Sequence, residues 1–218
     1  MARLTGMGTY AREPVQLLLA SRNKGKIQEF RQLLVGVPLE MTTLKAQGVL
    51  EDVEETGATF QENACIKAEA YARLTGLLTL ADDSGLEVDA LGGAPGVYSA
   101  RYGGLGLSDE DRVDLLLHNL RSIPWNLRGA RFRCVIAIVV PGRRTVTVEG
   151  VVEGIIQYEP LGNGGFGYDP VFYLPKLGVT TAELPMEQKN ALSHRGQAAR
   201  KAVAHLQEWV IGKGALAG

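Results

Sequence analysis

The sequence predicts a mixed α/β domain with a long sheet and at least four helices. Short, mostly apolar runs such as VQLLLA (15–20) and LLTLA (77–81) have the pattern of strands covered on both faces. Other segments repeat apolar residues three and four apart, the period of helices packed against a sheet. A strand that hands the chain to a helix across a short polar turn is the opening of an α/β unit.

In chain order, residues 1–14 hold no period and are punctuated by Gly6, Gly8 and Pro14, which predicts a loose, flexible extension. Val15–Ala20 predicts a strand, Ser21 to Lys26 the turn after it, and Ile27, Phe30, Leu33 and Leu34 the inner face of a helix. Leu39–Leu44 predicts the next strand. Thr59-Phe60-Gln61-Glu62 matches a capping box, so a helix starts there, runs to about Leu74 and stops at Gly76. Leu77–Ala81 predicts a short strand closed by Asp82-Asp83-Ser84-Gly85. The glycine-rich stretch 91–106 is too irregular for a regular element. Ser108-Asp109-Glu110-Asp111 caps a helix with Val113, Leu116, Leu117 and Leu120 on one face. Residues 130–140 and 145–152 are strand-like around Pro141-Gly142, which predicts a hairpin. A second glycine-rich loop covers 158–175, and Ser193 caps a last helix whose Ala199, Val203, Leu206 and Val210 face inward. The expected organisation is an extension (1–14), one domain (15–212) and a tail (213–218).

Composition narrows the function classes. At 45% hydrophobic and 22% charged over 218 residues the chain is globular rather than disordered. Lys+Arg 23 against Asp+Glu 24 leaves a net charge of -1, which argues against a general nucleic-acid binder and requires any anion site to be a local cluster. Cys65 and Cys134 are too far apart for a zinc spacing and too few for a disulfide framework, so two reduced thiols are expected. The longest apolar run, Val135–Val140, is too short for a bilayer. No signal peptide is evident at the N-terminus, and the expectation is a soluble cytoplasmic protein with no membrane partner.

Four features point to chemistry. The 21–26 turn at a helix start, with Lys26, suits a phosphate, although a polar turn with solvated lysines has the same appearance. Asp82-Asp83 follow a strand and either cap the next element or, with an acid from Glu51, Asp52, Glu54 and Glu55, hold Mg²⁺ through oxygen ligands. Lys67 shares a helical stripe with Phe60, Asn63, Ala64 and Tyr71, so it either snorkels to water or aims into a cleft at a polyanion. Gly162–Pro170 (GNGGFGYDP) places Phe166 among glycines where a planar ligand can approach, with His194 and Arg195 as donors; a turn-rich linker with a core Phe is the bland alternative.

Taken together, SRNKGK (21–26), EETGATFQENACIKA (54–68), ADDSGLEVDALGGAPGVYSARY (81–102), GGFGYDP (164–170) and SHR (193–195) resemble the inosine/xanthosine triphosphate pyrophosphatases, in the right order and from about Val15 to Trp209. The resemblance implies an elongated mixed sheet with flanking helices, two lobes around a central nucleotide-binding cleft, and a homodimer. It implies Mg²⁺-dependent hydrolysis of ITP, dITP or XTP to the monophosphate and pyrophosphate. Residue by residue, it implies a phosphate turn of Ser21, Arg22, Asn23, Lys24, Gly25 and Lys26, of which Asn23 and Lys26 are the main polar members. Glu55 and Asp83 match the metal positions, and Asp83 the proton acceptor. Lys67 and Ser84 match substrate contacts, and Phe166, Gly167, Tyr168, Asp169, Lys189, His194 and Arg195 the surroundings of base and sugar-phosphate. Donors from His194 or Arg195 are expected to meet O6 of hypoxanthine or xanthine, and a tight backbone at Gly164–Tyr168 to exclude guanine. A pyrophosphatase for modified pyrimidine nucleotides, disfavoured by GGFGYDP and SHR, and a non-catalytic nucleotide- or RNA-binding module are the rival readings.

Overall fold

The computed structural model describes residues 14–215, with side chains up to Trp209. The extension expected over 1–14, apart from its last residue, lies outside the described residues, as do 216–218 and the side chain of Val210. Seven strands form one sheet in the order β2-β1-β3-β4-β5-β6-β7. They are β1 (Val15–Leu19), β2 (Leu39–Thr43), β3 (Leu78–Val88), β4 (Gly129–Val139), β5 (Val146–Ile156), β6 (Phe172–Leu174) and β7 (Val179–Thr180). β2 and β3 run parallel to β1 on either side, and every pairing from β3 onward is antiparallel. The helices are α1 (Lys24–Leu33), α2 (Phe60–Thr75), α3 (Asp109–Asn119), α4 (Met186–Leu192) and α5 (His194–Ala215).

Helix starts follow local chemistry. Asn23 caps α1, Thr59 and Glu62 close a capping box on α2, and Ser108 and Asp111 do the same for α3. Gly76 ends α2 in the left-handed conformation at φ 69°. The short α4 carries no N-cap side chain, and the sequence pattern does not single it out. α5 runs past 212 to Ala215.

One strand departs from expectation in a way that matters. β3 does not close at Ala81 but continues through Asp82-Asp83-Ser84-Gly85 to Val88. The acids interrupt the apolar pattern, yet the ladder persists, with Asp82 opposite Ile136, Asp83 opposite Val135 and Ser84 opposite Cys134. Backbone pairing to a long neighbour, not side-chain hydrophobicity, carries the strand across its polar stretch.

The long strands β3, β4 and β5 join two lobes. In the first, Leu80 and Ile136 pack under α1 and α5 through Phe30, Ala199 and Leu206, while Ala81 and Val135 pack under α2 through Phe60 and Ala64. In the second, Leu86, Phe132 and Ile156 pack against Val113, Leu116 and Leu120 of α3. β1 ends at Leu19, opposite Leu80, so Asp82–Ser84 meet no β1 partner. The gap left beside them is the cleft between the lobes. Among the described residues, no helix is long and apolar enough to cross a membrane.

Candidate active site

The cleft has a volume of about 650 Å³, and its lining includes Ser21, Asn23, Lys26, Lys67, Asp83 and Phe166. β1 delivers the chain to its rim, and the turn that follows becomes the start of α1. The Asn23 side chain accepts from the Lys26 N–H at 3.1 Å. The N–H groups of Lys24 and Gly25 then have no acceptor within the helix, and the positive end of the helix faces this region. Not every residue of the turn faces the cleft. The Lys24 side chain is exposed and outside the lining, and Gly25 lies against the Phe166 ring. Arg22 reaches sideways, with Nε 2.6 Å from Asp52 Oδ1 and Nη2 3.1 Å and 2.9 Å from the carbonyls of Val49 and Glu51.

Strand alternation sends the two adjacent acids of β3 to opposite faces. Asp82 and Ser84 face α1 and α5. Asp82 Oδ2 takes Lys26 Nζ at 2.8 Å, Arg195 Nε at 3.5 Å and the Ser84 hydroxyl at 3.2 Å. Arg195 Nη2 donates to Ser84 Oγ at 2.8 Å. Burial opposes ionisation of Asp82, but Lys26, Arg195 and Lys67 outweigh it and hold this carboxyl well below the usual range.

Asp83 faces α2. Lys67 Nζ lies 3.5 Å from Asp83 Oδ1 and 2.9 Å from Glu55 Oε1, so the Lys67 ammonium aims into the cleft. Burial raises Asp83, Lys67 and Lys26 pull it down, Glu55 pushes it up again, and the net direction is upward. For Lys67, burial is outweighed by Asp83, Asp82 and Glu55, and the ammonium is held charged. Of the four acids at 51–55, Glu51, Asp52 and Glu54 are exposed and only Glu55 turns inward to this group.

The donor set suits a hard divalent cation. Asp83 Oδ2 is buried and has no hydrogen-bond partner, and Glu55 supplies a second carboxylate beside it. Mg²⁺ commonly uses one or two carboxylates and completes its shell with water and phosphate oxygens. Among the described residues no group of three or more His, Cys, Asp or Glu gathers as a full protein cage.

At the other end, the Phe166 ring lies against two cations, Lys189 Nζ at 4.9 Å and Arg195 Cζ at 5.5 Å from its centroid. Both cations are buried and pinned. Lys189 Nζ bridges Asp169 Oδ2 at 2.5 Å and Glu29 Oε1 at 2.7 Å, and Arg195 Nη1 meets Glu29 Oε2 at 2.5 Å. Asp169 also accepts the Phe166 N–H at 2.8 Å, and Asp109 accepts the Gly167 N–H at 2.9 Å. Tyr168 is buried and donates to the Ser99 carbonyl at 2.9 Å; burial raises its pKa and keeps it protonated. His194 stacks on Phe132 at 4.7 Å, and burial, then Arg195 and Lys189, push it well below its ordinary value. It is a neutral donor–acceptor, not a cation.

Sequence reasoning missed Glu29, and it set Asp82 beside Asp83 as a cap or a Mg²⁺ ligand, whereas Asp82 pairs with Lys26 and Arg195. Charge balance offered one signal, since buried Lys189 and Arg195 require buried anions. Glu29 gave none locally, because an acid beside Phe30 on a helix reads as solvated.

Known proteins resemble this chain in sequence and in fold. The Ham1 family profile matches residues 17–205. A dITP/XTP pyrophosphatase of Geobacter sulfurreducens is 50% identical over 88% of this chain and 96% of its own length. One from Geobacillus kaustophilus is 48% identical over 91% and 98%. The solved structure of a HAM1 protein from Coxiella burnetii superimposes with a TM-score of 0.81 at 43% identity, covering 89% of this chain and 99% of the other. A nucleoside-triphosphatase / dITP/XTP pyrophosphatase from Mycobacterium abscessus gives 0.70 at 45% identity, covering 88% and 98%.

Proposed function

The chain belongs to the Ham1 family and is a nucleoside-triphosphate pyrophosphatase, and we propose how its residues hydrolyse ITP, dITP and XTP to the monophosphate and pyrophosphate. The observation that carries the assignment of roles is Asp83: a buried carboxylate with a raised pKa and an unpartnered oxygen, facing a cleft with cations on both sides. Its free Oδ2 orients a water and accepts its proton as the water attacks the α-phosphorus. The α–β anhydride bond breaks, and pyrophosphate leaves. Lys26, Lys67 and the first turn of α1 bind the triphosphate, and positioning with charge neutralisation supplies most of the acceleration. Mg²⁺ bound through Glu55 and Asp83 would neutralise phosphate charge and acidify water there.

Phe166 stacks on the base. Neutral His194 or Arg195 donates to O6, where adenine would present a second donor and leave a buried group unpaired at a cost of about 1–3 kcal/mol. Asp169 and Lys189 act by holding Phe166 and Arg195, and Ser84 by holding Arg195. Gly167 and Tyr168 shape the wall that excludes the guanine amino group. Arg22 and Lys24 serve the turn indirectly, Arg22 by tying it to the acidic loop.

The test is product identity. ITP with Mg²⁺ should give IMP and pyrophosphate; IDP with orthophosphate as primary products would sink the reading. The functional unit starts at residue 15 and includes α5 to its end at Ala215, so deleting 1–14 should leave kcat unchanged, and a large loss would overturn that boundary. The family resemblance supports a cytoplasmic homodimer. Light scattering near 23.5 kDa at micromolar concentration, or recovery outside the soluble cell fraction, would count against it.

A further inference from the structure

Gly25 is the second residue of α1, and its Cα faces the Phe166 ring. A Cβ there would lie 2.6 Å from Phe166 Cδ1 and 2.9 Å from Cε1 and Cγ, well inside carbon–carbon contact. The backbone at Gly25 is not in the left-handed region, so the ring, not the local conformation, requires glycine. The ring has little room to retreat. The Phe166 backbone N–H is tied to Asp169, and Lys189 and Arg195 lie against the ring. Both cations are held by Glu29, which is on α1 as well, one turn beyond Gly25. One helix therefore fixes Phe166 twice, by direct contact at Gly25 and through the Glu29 ion pairs.

We propose that Gly25 is a positioning residue that couples the base end of the cleft to the phosphate turn, setting the distance between the Phe166 platform and the first turn of α1. The proposal rests on the reading of Phe166 as the base-stacking ring. A methyl at position 25 pushes the ring into the space a purine occupies, while the N–H groups of the turn stay available to phosphate.

Calorimetry with two probes separates the ends. In Gly25→Ala, IMP binding should weaken by about tenfold or more, an overpacking effect, while tripolyphosphate binding should stay within about twofold. Helix propensity alone predicts the opposite, since alanine is the better helix former, and leaves both probes unweakened. Phe166→Leu supplies the second arm: with the ring gone, adding Gly25→Ala should cost IMP nothing further. Equal losses for both probes, no loss for IMP, or the same IMP loss with and without the ring would overturn the coupling. Wild-type protein that binds tripolyphosphate but not IMP would overturn the purine reading and the proposal with it.

Discussion

Asp82 and Asp83 are neighbours on β3 and share its ladder, yet the two faces of the strand give them opposite surroundings. On the α1/α5 face, Asp82 meets Lys26, Arg195 and Ser84 through Oδ2, while its buried Oδ1 has no hydrogen-bond partner. On the α2 face, Asp83 also keeps one oxygen without a partner, but it shares the ammonium of Lys67 with Glu55, whose own charge opposes its ionisation. The shifts differ in direction for that reason, downward for Asp82 and upward for Asp83. A carboxylate surrounded by cations holds structure together. One left short of cations beside a second acid in a buried cleft is available to a proton, a metal ion or a water.

The largest effect expected from breaking this asymmetry is on turnover. Asp83→Asn keeps shape but removes the basic oxygen, and kcat should fall by about 10²–10⁴-fold. Its stability should move the other way. A carboxyl whose native pKa is raised above 3.8 binds protons more readily in the folded state, so stability falls as pH rises through the folded pKa, and ionised Asp83 is a burden at neutral pH. The variant should therefore melt no lower than wild type. Near-normal kcat with a lowered melting temperature would instead make Asp83 a structural cap.

Asp82→Asn should give the reverse pattern. Removing one partner of a buried ion-pair network costs about 3–5 kcal/mol, which lowers the melting temperature on the order of 10 °C for a chain of this size. Here the native pKa is depressed, so the stability is present above the ordinary carboxyl value and is lost as pH falls through the folded pKa. A melting temperature unchanged from wild type would remove Asp82 from the structural role.

A pH profile sharpens the contrast without mutation. In the protein without Mg²⁺ the Asp83 carboxyl should titrate above 3.8, read by NMR, and added Mg²⁺ should pull it down. Titration at or below that value without Mg²⁺ would remove the contrast with Asp82.

The smallest effect concerns the loop that brings Glu55 to the Asp83 side. Arg22 fastens it through Asp52 and two carbonyls, an exposed clamp worth about 1 kcal/mol at most. Arg22→Ala should raise the Mg²⁺ needed for half-maximal rate by up to about fivefold, with kcat at saturating Mg²⁺ unchanged. An unaltered Mg²⁺ requirement would leave Arg22 a surface residue only.

By itself the sequence determined what short-range chemistry decides. The capping boxes at Thr59 and Ser108, the Asn23 cap and the Gly76 stop each close within about four residues, so their partners are written next to them. The turn after β1 and the β4–β5 hairpin are legible for the same reason, and the ordered motifs fixed the family. Tertiary structure decided the rest. β3 runs through its acids because β4 continues to pair with it, which no side-chain pattern announces. Which acid faces Lys26 and which faces Lys67 follows from strand phase. Glu29 meets Lys189 and Arg195 from 160 and 166 positions away, and Gly25 meets Phe166 only because two lobes close on each other. Such contacts join segments whose local patterns are complete without one another, so only the packed chain reveals them.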